Sequence, residues 1–211
     1  MVSASSSIDA IASGLETEVP DLRSHSSPEG AVTLLFSDVE GSTELLERIG
    51  ERRSFEVLRD HNVIIRRVAE LHEGTVVKSQ GDGFMIAFSS ARAGVRCALA
   101  IQRTFAGFVV EETGEELRVR MGLHAGFVIE DAEDFFGRNV VLAARIAEQA
   151  RGGEVLVSSE LREYAQSDPL LRFEPRGEVR LKGLSGRHEV YAVRAATVSP
   201  PPAPSPRTPS P

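Results

Sequence analysis

Cysteine is almost absent from this 211-residue sequence, which contains only Cys97. A single cysteine excludes an internal disulfide and favours a reducing compartment. Long apolar runs are absent too. No stretch approaches the roughly 20 residues that a membrane-spanning helix needs, so no membrane insertion is expected. The N-terminus also lacks a basic start followed by an apolar stretch, the pattern of a secretory signal. These absences together favour a cytoplasmic location.

Basic residues are fewer than acidic residues. The chain has 24 lysine and arginine residues against 31 acidic residues, which gives a net charge of −7. A general nucleic-acid-binding protein normally carries a basic stripe, so no nucleic-acid partner is expected. Hydrophobic residues make up 41% of the chain, which is enough for the core of one sizeable domain.

The two ends of the chain differ in composition from its middle. Residues 1–30 are polar and serine-rich, and only Ile8, Ile11 and Leu15 suggest a weak amphipathic turn. We expect this segment to be disordered or weakly helical, with a docking or regulatory role left open. Residues 196–211 are mostly proline, serine and alanine and are expected to form a disordered tail. The folded domain is predicted over residues 31–195.

Between these ends, the hydrophobic pattern predicts alternating strands and helices. The stretch that begins at Ala31 reads as a buried strand that stops just before Asp38, and Ser42 or Thr43 is placed to cap the following helix. The residues Gln80-Gly81-Asp82-Gly83 are typical of a hairpin tip. The other predicted elements are a long helix over residues 45–71 with or without a kink, hairpin strands over 75–78 and 84–88, a helix over 91–105, a strand region over 117–128, an acidic loop over 130–134, a helix over 137–150, a strand over 154–157, a short helix over 161–164 and closing strands up to residue 193.

This order of elements predicts an α+β fold with a ferredoxin-like βαββαβ core, in which an antiparallel sheet carries helices on one face and further strands follow at the C-terminal end. A doubly wound parallel sheet is the alternative. The tight hairpin argues against it, because parallel strands need a long crossover connection.

Asp38 and Asp82 are expected to be neighbours at one end of this sheet, with the first strand of the hairpin paired to the strand that ends at Asp38. Two carboxylates there can hold one or two Mg²⁺ or Mn²⁺ ions and leave positions open for phosphate oxygens. Taken singly, each aspartate is equally well explained as an ordinary turn residue.

Three stretches of the sequence together resemble a known family. LLFSDVEGST, VVKSQGDGFMIAF and DFFGRNVVLAAR occur in the order and spacing of the catalytic domain of class III nucleotidyl cyclases, the adenylate and guanylate cyclases. The resemblance covers residues 31–194. It implies the class III cyclase fold and a head-to-tail homodimer with active sites between the two chains. The implied activity is that of a phosphorus–oxygen lyase that converts ATP to 3′,5′-cyclic AMP and pyrophosphate.

The resemblance also implies how the chain binds metal and phosphate. Asp38 and Asp82 would hold two Mg²⁺ or Mn²⁺ ions per site. The ribose 3′ oxygen would then attack the α-phosphate, a reaction that depends mainly on positioning and electrostatics. Backbone N–H groups would bind the β- and γ-phosphates from the loop Val39, Glu40, Gly41, Ser42 and Thr43.

Four further residues take roles from the same resemblance. Lys78 and Asp134 match the pair that reads the purine base; a lysine donating to N1 and an aspartate accepting from the N6 amine favour ATP over GTP. Arg145 matches the arginine that stabilises charge in the transition state. Lys182, in RLKGLSG, resembles a lysine that approaches the phosphates. Without the family, Lys78 and Asp134 would read as a solvated strand residue and a charge at a helix N-terminus.

One position departs from the family pattern. The family usually has an asparagine four residues before the arginine, where it orients the ribose, and this chain has Val141 there. Asn139 is close in sequence, but two residues turn a helix by about 200°, so it is predicted to face away from Arg145. Loss of such a contact typically lowers a rate on the order of 10²–10³-fold. A slow cyclase, a cyclase with another ribose contact, and a catalytically weak nucleotide-binding regulatory domain are therefore alternatives.

A second alternative comes from another enzyme class. Polymerase-type and diguanylate-cyclase-type domains also place metal-binding carboxylates at the end of a ferredoxin-like sheet. The hairpin tip argues against this class, because it reads Gln80-Gly81-Asp82-Gly83-Phe84 rather than a GG[DE][DE]F-like motif.

Overall fold

The computed structural model describes residues 7–15, 25–28, 30–127 and 133–196, with the backbone alone for residues 14–15 and 133–136. The predicted C-terminal tail from residue 197 onward and most of the predicted acidic loop lie outside these ranges. The elements are α1 (Ser7–Leu15), β1 (Ala31–Val39), α2 (Ser42–Ile49), α3 (Glu51–Leu71), β2 (Thr75–Gln80), β3 (Gly83–Phe88), α4 (Ala91–Phe105), β4 (Val109–Val110), β5 (Glu115–Glu116), β6 (Val119–Phe127), α5 (Glu133–Gln149), β7 (Val155–Ser158), α6 (Ser159–Ala165), β8 (Leu171–Val179) and β9 (His188–Ala195).

The main sheet has seven strands in the order β2-β3-β1-β6-β7-β9-β8. Its first four strands, with their helical crossovers, form the predicted ferredoxin-like core. Neighbouring strands are antiparallel except for β6 and β7. The α+β fold class is therefore confirmed, and the doubly wound parallel alternative is excluded. The strands β4 and β5 form a separate two-stranded hairpin.

Two expectations about β1 are wrong. The second strand of the hairpin, β3, pairs with β1, whereas the first strand, β2, was expected to do so. The crossover through α3 brings β2 back parallel to β1, so only the antiparallel β3 fits between them. Asp38 also lies inside β1 rather than just past its end, because the ladder with β6 continues through the pair Asp38–Arg120.

Helices cover both faces of the sheet, so the expectation of helices on one face is wrong. Leu35 packs in a hydrophobic cluster with α3 and α4 residues. Leu34 and Phe36 point to the opposite side, where they pack in a second cluster with α1 and α5 residues. A strand that is apolar on both sides must be covered on both sides, and β1 has this pattern.

The structure describes a helix within the N-terminal segment and a break within the predicted long helix. Residues Ser7–Leu15 form α1, which agrees with the weakly helical alternative for this segment, and Ile8 and Ile11 are fully buried against the sheet. The predicted long helix is broken into α2 and α3 at Gly50, whose φ of 76° lies in the left-handed region that a glycine adopts easily. Within the described ranges, no helix is both long and apolar enough to cross a membrane.

Candidate active site

The two predicted metal aspartates lie together at one end of the sheet. Asp38 is on β1 and Asp82 is in the turn that joins β2 to β3. Because β3 pairs with β1, this turn is next to the end of β1, and the backbone N–H of Val39 donates a hydrogen bond of 3.1 Å to Asp82 Oδ2. Both aspartates are only 3% exposed. Their burial excludes the reading of either aspartate as an ordinary surface turn residue.

The environment of Asp38 disfavours its negative charge. Arg120 Nη2 donates a hydrogen bond of 2.6 Å to Asp38 Oδ2, which stabilises the carboxylate. Burial and the nearby charge of Asp82 nevertheless outweigh this ion pair and raise the pKa of Asp38 to about 7. In the part of the chain that the structure describes, Asp38 Oδ1 is buried without a hydrogen-bond partner. A bound cation would balance the charge of the two carboxylates and would give Asp38 Oδ1 a partner.

The donor set at this position fits Mg²⁺ or Mn²⁺. Carboxylate oxygens are the protein ligands that these hard ions prefer, and Asp38 Oδ1 offers an unused one. The described residues contain no group of three or more histidine, cysteine, aspartate or glutamate side chains that could enclose a metal by themselves. Two carboxylates would therefore leave most coordination positions for oxygens from a phosphate ligand and water.

Only part of the predicted triphosphate loop has backbone N–H groups left for a ligand. The N–H of Val39 binds Asp82, and the N–H of Glu40 donates to the carbonyl of Arg118 at 2.9 Å. Gly41 is the N-cap of α2 with φ of 69°, and no side chain caps the helix, so the predicted cap by Ser42 or Thr43 is wrong. The uncapped N–H groups at the start of α2 are suited to bind an anion.

Close packing fixes the helix that carries Arg145. A Cβ atom at Gly122 of β6 would lie 2.1 Å from the backbone nitrogen of Ala147, so α5 contacts the strand directly. Arg145 extends from this helix and its side chain is 14% exposed. It donates one hydrogen bond of 2.6 Å to Glu148 and another to Asp9 of α1. The predicted catalytic arginine is therefore held by acidic groups of its own chain.

The remaining predicted residues are more dispersed. Lys78 lies half-buried on β2, the edge strand next to β3. Asp134 lies in the first turn of α5, where its side chain is outside the described part of the structure. Lys182 is exposed on the β8–β9 connection, and its charge lowers the pKa of Asp9. Lys182 is thus close enough to Asp9 for their charges to interact. The pairing of Lys78 with Asp134 stays a prediction.

Asn139 points away from Arg145, as its helical position predicted. Its Nδ2 donates to the carbonyl oxygen of Phe127 at 3.2 Å, and its Oδ1 lies 3.1 Å from Nε2 of His124. These contacts tie α5 to β6. Asn139 therefore has a structural role and does not replace the asparagine that is missing at Val141.

Sequence reasoning missed three residues at the site: Arg120, Ser7 and Asp9. Arg120 lies directly opposite Asp38 in the β1–β6 register, so finding it required the strand pairing as well as the sequence. Ser7 donates a hydrogen bond to Asp82, and Asp9 accepts one from Arg145. For these two residues, the only signal was the weak amphipathic pattern around Ile8 and Ile11.

The structure is an α+β domain with a buried aspartate pair at one end of its sheet, and comparison identifies its family. Residues 24–195 match the adenylate and guanylate cyclase catalytic domain, and the chain belongs to this family. The adenylyl cyclase CyaB from P. aeruginosa superposes with a TM-score of 0.67 at 25% identity, covering 79% of this chain and 94% of that one.

Curated relatives are similar over a small part of their own length. The serine/threonine-protein kinase pkn2 of Myxococcus xanthus is 27% identical over 171 residues, which cover 81% of this chain and 20% of that protein. An adenylate cyclase of Mycosarcoma maydis is 32% identical over 158 residues, which cover 64% of this chain and 6% of that protein. The chain thus corresponds to one segment of these larger proteins.

Proposed function

We propose that this chain is an adenylate cyclase that converts ATP to 3′,5′-cyclic AMP and pyrophosphate as a cytoplasmic homodimer. The observation that carries the proposal is the buried pair Asp38 and Asp82, with Asp38 Oδ1 unpartnered in the described part of the chain. The family supports nucleotide cyclisation as the reaction, and the relative from Mycosarcoma maydis is named an adenylate cyclase.

The proposed mechanism places the metal-binding and phosphate-binding groups of one chain opposite the base-reading and arginine groups of its partner. Asp38 and Asp82 would hold two Mg²⁺ or Mn²⁺ ions, and the N–H groups at the start of α2 would bind phosphate oxygens. When bound, such ions lower the pKa of the ribose 3′-OH and neutralise charge on the phosphates.

The bond changes need no covalent intermediate with the protein. The ribose 3′ oxygen forms a bond to the α-phosphorus, the bond to the bridging oxygen of the β-phosphate breaks, and pyrophosphate leaves. Arg145, supplied by the partner chain, stabilises the charge that develops on the transferring group. Lys182 adds a second positive charge near the phosphates. The hydroxyl proton of the ribose leaves to solvent.

Lys78 and Asp134 are proposed to select adenine. Lysine donates to the unprotonated N1 of adenine, and aspartate accepts from its N6 amine. Guanine presents a protonated N1 and a carbonyl at these positions and would require the opposite arrangement.

A catalytically weak nucleotide-binding domain is the second candidate, and the contacts of Asn139 favour it. Asn139 is engaged with His124 and Phe127, so no asparagine of this helix segment is in place to orient the ribose. In this candidate the chain binds ATP and metal and signals through dimerisation with little turnover.

The decisive test is an assay of the purified 211-residue chain with ATP or GTP, in Mg²⁺ or Mn²⁺, with cyclic nucleotide and pyrophosphate as readouts. Cyclic AMP formation that Asp82→Ala abolishes supports the proposal. Asp60→Ala is the matched control, because that side chain is 52% exposed on α3. Turnover of GTP alone would contradict the adenine assignment, and activity that survives Asp82→Ala would contradict the metal assignment. Tight nucleotide binding without product would favour the second candidate.

A further inference from the structure

Helix α1 connects the predicted metal site to the predicted catalytic arginine. The Ser7 hydroxyl donates a hydrogen bond to Asp82 Oδ1. Two residues further along the chain, the Asp9 carboxylate accepts a hydrogen bond from Arg145 Nη1. Asp82 lies in the β2–β3 turn and Arg145 lies on α5, so one short helix contacts both functional regions.

The Asp9 carboxylate is held among cations. Burial acts to raise its pKa, but the hydrogen bond and charge of Arg145 and the charge of Lys182 keep the pKa of Asp9 below its ordinary value. Asp9 is therefore negatively charged at neutral pH. Arg145 and Lys182 are the two cations proposed to meet phosphate groups. Asp9 thus presents to them the kind of charge that a nucleotide phosphate would present.

Apolar contacts fasten α1 to the same face. Ile8 and Ile11 are fully buried, in a cluster that contains Phe36 of β1, Met85 of β3 and Val140 of α5. The helix also approaches the hairpin closely, because a Cβ atom at Gly83 would lie 2.8 Å from Cβ of Ser7. Removal of α1 would expose this apolar surface to water, which is unfavourable unless another surface covers it.

We propose that α1 is an autoinhibitory helix, which covers the catalytic face of each chain and must leave before a second copy of the chain can dock there. This inference rests on the proposed homodimer. In that dimer, Asp82 belongs to one composite site and Arg145 to the other, so the partner must approach both. Because α1 contacts both residues, α1 and the partner chain compete for one face. The nucleotide, which contacts groups of both chains, binds the assembled site and therefore favours release of α1.

Point variants of the 211-residue chain test the competition between α1 and the partner chain. Asp9→Asn removes the charge through which α1 binds Arg145 and leaves the contact of Arg145 with Glu148 in place, and Ser7→Ala removes the hydrogen bond to Asp82. At chain concentrations where dimerisation limits the rate, we expect Asp9→Asn to raise the cyclase rate and the dimer association constant by roughly 10-fold. Ser13→Ala is the matched control, because Ser13 is exposed on the same helix. Equal rates and equal dimer fractions in Asp9→Asn and Ser13→Ala would overturn the proposal.

Thiol labelling gives a readout that needs no turnover. Ala12 is 5% exposed whereas the neighbouring Ser13 is exposed, so Ala12→Cys and Ser13→Cys report the covered and open sides of α1. The native Cys97 contributes little background, because it is fully buried and burial raises the pKa of its thiol to about 12. We expect Ala12→Cys to react at least about 10-fold more slowly than Ser13→Cys. Mg²⁺ with an ATP analogue that lacks the 3′-OH, and so cannot be cyclised, should accelerate labelling of Ala12→Cys alone.

The two readouts separate failure of this inference from failure of the cyclase proposal. Slow labelling of Ala12→Cys that Asp9→Asn accelerates supports the autoinhibitory helix even when no cyclic nucleotide forms, and then only the cyclase proposal fails. Fast labelling of Ala12→Cys in the chain without nucleotide overturns the autoinhibitory helix, even when cyclic AMP is formed.

Discussion

In the folded chain, the surroundings of Asp38 disfavour its negative charge unless a cation is bound there. Burial and the charge of Asp82 raise its pKa to about 7, although Arg120 donates a hydrogen bond to it. The unfolded chain has no such environment, so its Asp38 ionises near the ordinary value of 3.8. Ionised Asp38 therefore destabilises the metal-free fold. The same negative charge is what its proposed role as a metal ligand requires.

Asp38→Asn should stabilise the metal-free chain at pH 8 while abolishing turnover. Because the folded pKa is raised, the stability contributed by Asp38 is fully present below about pH 4 and is lost as the pH rises to about 7. In EDTA, we expect the melting temperature of Asp38→Asn to exceed that of the wild type by several degrees at pH 8, corresponding to about 1–2 kcal/mol. The difference should open between pH 4 and pH 7 and stay constant above pH 7.

The control for this measurement is Asp60→Asn, on the exposed side of α3. Its melting temperature should follow that of the wild type across the same pH range. A wild-type chain that is as stable as Asp38→Asn at pH 8 without metal would contradict the raised pKa. Addition of Mn²⁺ should stabilise the wild type much more than Asp38→Asn, because only the wild type has both carboxylates.

Val141 provides a second prediction for a single residue. Asparagine at this position lies one helical turn before Arg145 on the same face, where a side-chain amide can reach the ribose. We expect Val141→Asn to raise kcat for ATP, on the order of 10²-fold if ribose orientation limits the wild type. Steady-state kinetics with ATP and Mn²⁺ measure this.

Asn139→Ala serves as the contrasting variant to Val141→Asn. It removes the hydrogen bonds to His124 and Phe127 and should lower the free energy of unfolding by about 1–2 kcal/mol. It should leave the effect of Val141→Asn on kcat unchanged in the double variant. An unchanged kcat in Val141→Asn would indicate that another group orients the ribose.

Among the structural elements, α5 depends most on a close backbone contact. Gly122 lets α5 lie against β6, since a Cβ atom there would be 2.1 Å from Ala147 N. We expect Gly122→Ala to destabilise the fold by about 2–4 kcal/mol and to lower kcat, because displacement of α5 also displaces Arg145. Urea unfolding and activity at low temperature measure the two effects.

Gly137→Ala is the matched control in α5 itself. A Cβ atom at Gly137 has no neighbour within 4 Å, and alanine favours a helix over glycine by up to about 1 kcal/mol. Gly137→Ala should therefore be at least as stable as the wild type. Equal unfolding midpoints for Gly122→Ala and Gly137→Ala would show that the close approach of α5 to β6 is not required.

Helices and hairpins with strong local patterns could be predicted from the sequence. The pairing of the strands and the packing of α1 could not be predicted as well. The hairpin around Asp82 and the helix α4 follow from turn residues and from apolar spacing that needs no distant partner. The choice of β3 over β2 as the neighbour of β1 depends on where the crossover helix returns the chain. Helix α1 was underestimated because its stability comes from burying Ile8 and Ile11 against distant strands rather than from its own sequence.

The residues of the candidate site also differ in how well the sequence predicts them. Asp38 and Asp82 could be predicted as neighbours because each follows a recognisable strand or turn pattern. Arg120 and Asp9 could not, since each reaches the site by a contact with a residue far away in the sequence. Charged pairs of this kind leave no periodic signal along the chain.

For the whole molecule, the proposed dimer implies that one chain alone cannot form a complete active site. One chain carries the aspartate pair and Arg145, but in a head-to-tail dimer these groups serve different sites. An Asp38→Ala chain can still donate Arg145, and an Arg145→Ala chain can still donate the aspartate pair. Each variant alone forms dimers in which both sites are damaged.

Mixing Asp38→Ala with Arg145→Ala should restore activity to about a quarter of the wild-type value, because random exchange gives half heterodimers with one intact site each. The control is a mixture of Asp38→Ala with Asp82→Ala. Both substitutions damage the same half of the site, so no intact site can form and no activity should return. Cyclic AMP formation after subunit exchange measures both mixtures. Equal recovery in the two mixtures, or none in either, would contradict a site shared between two chains, whereas recovery in the first alone requires Asp38 and Arg145 to act from different chains.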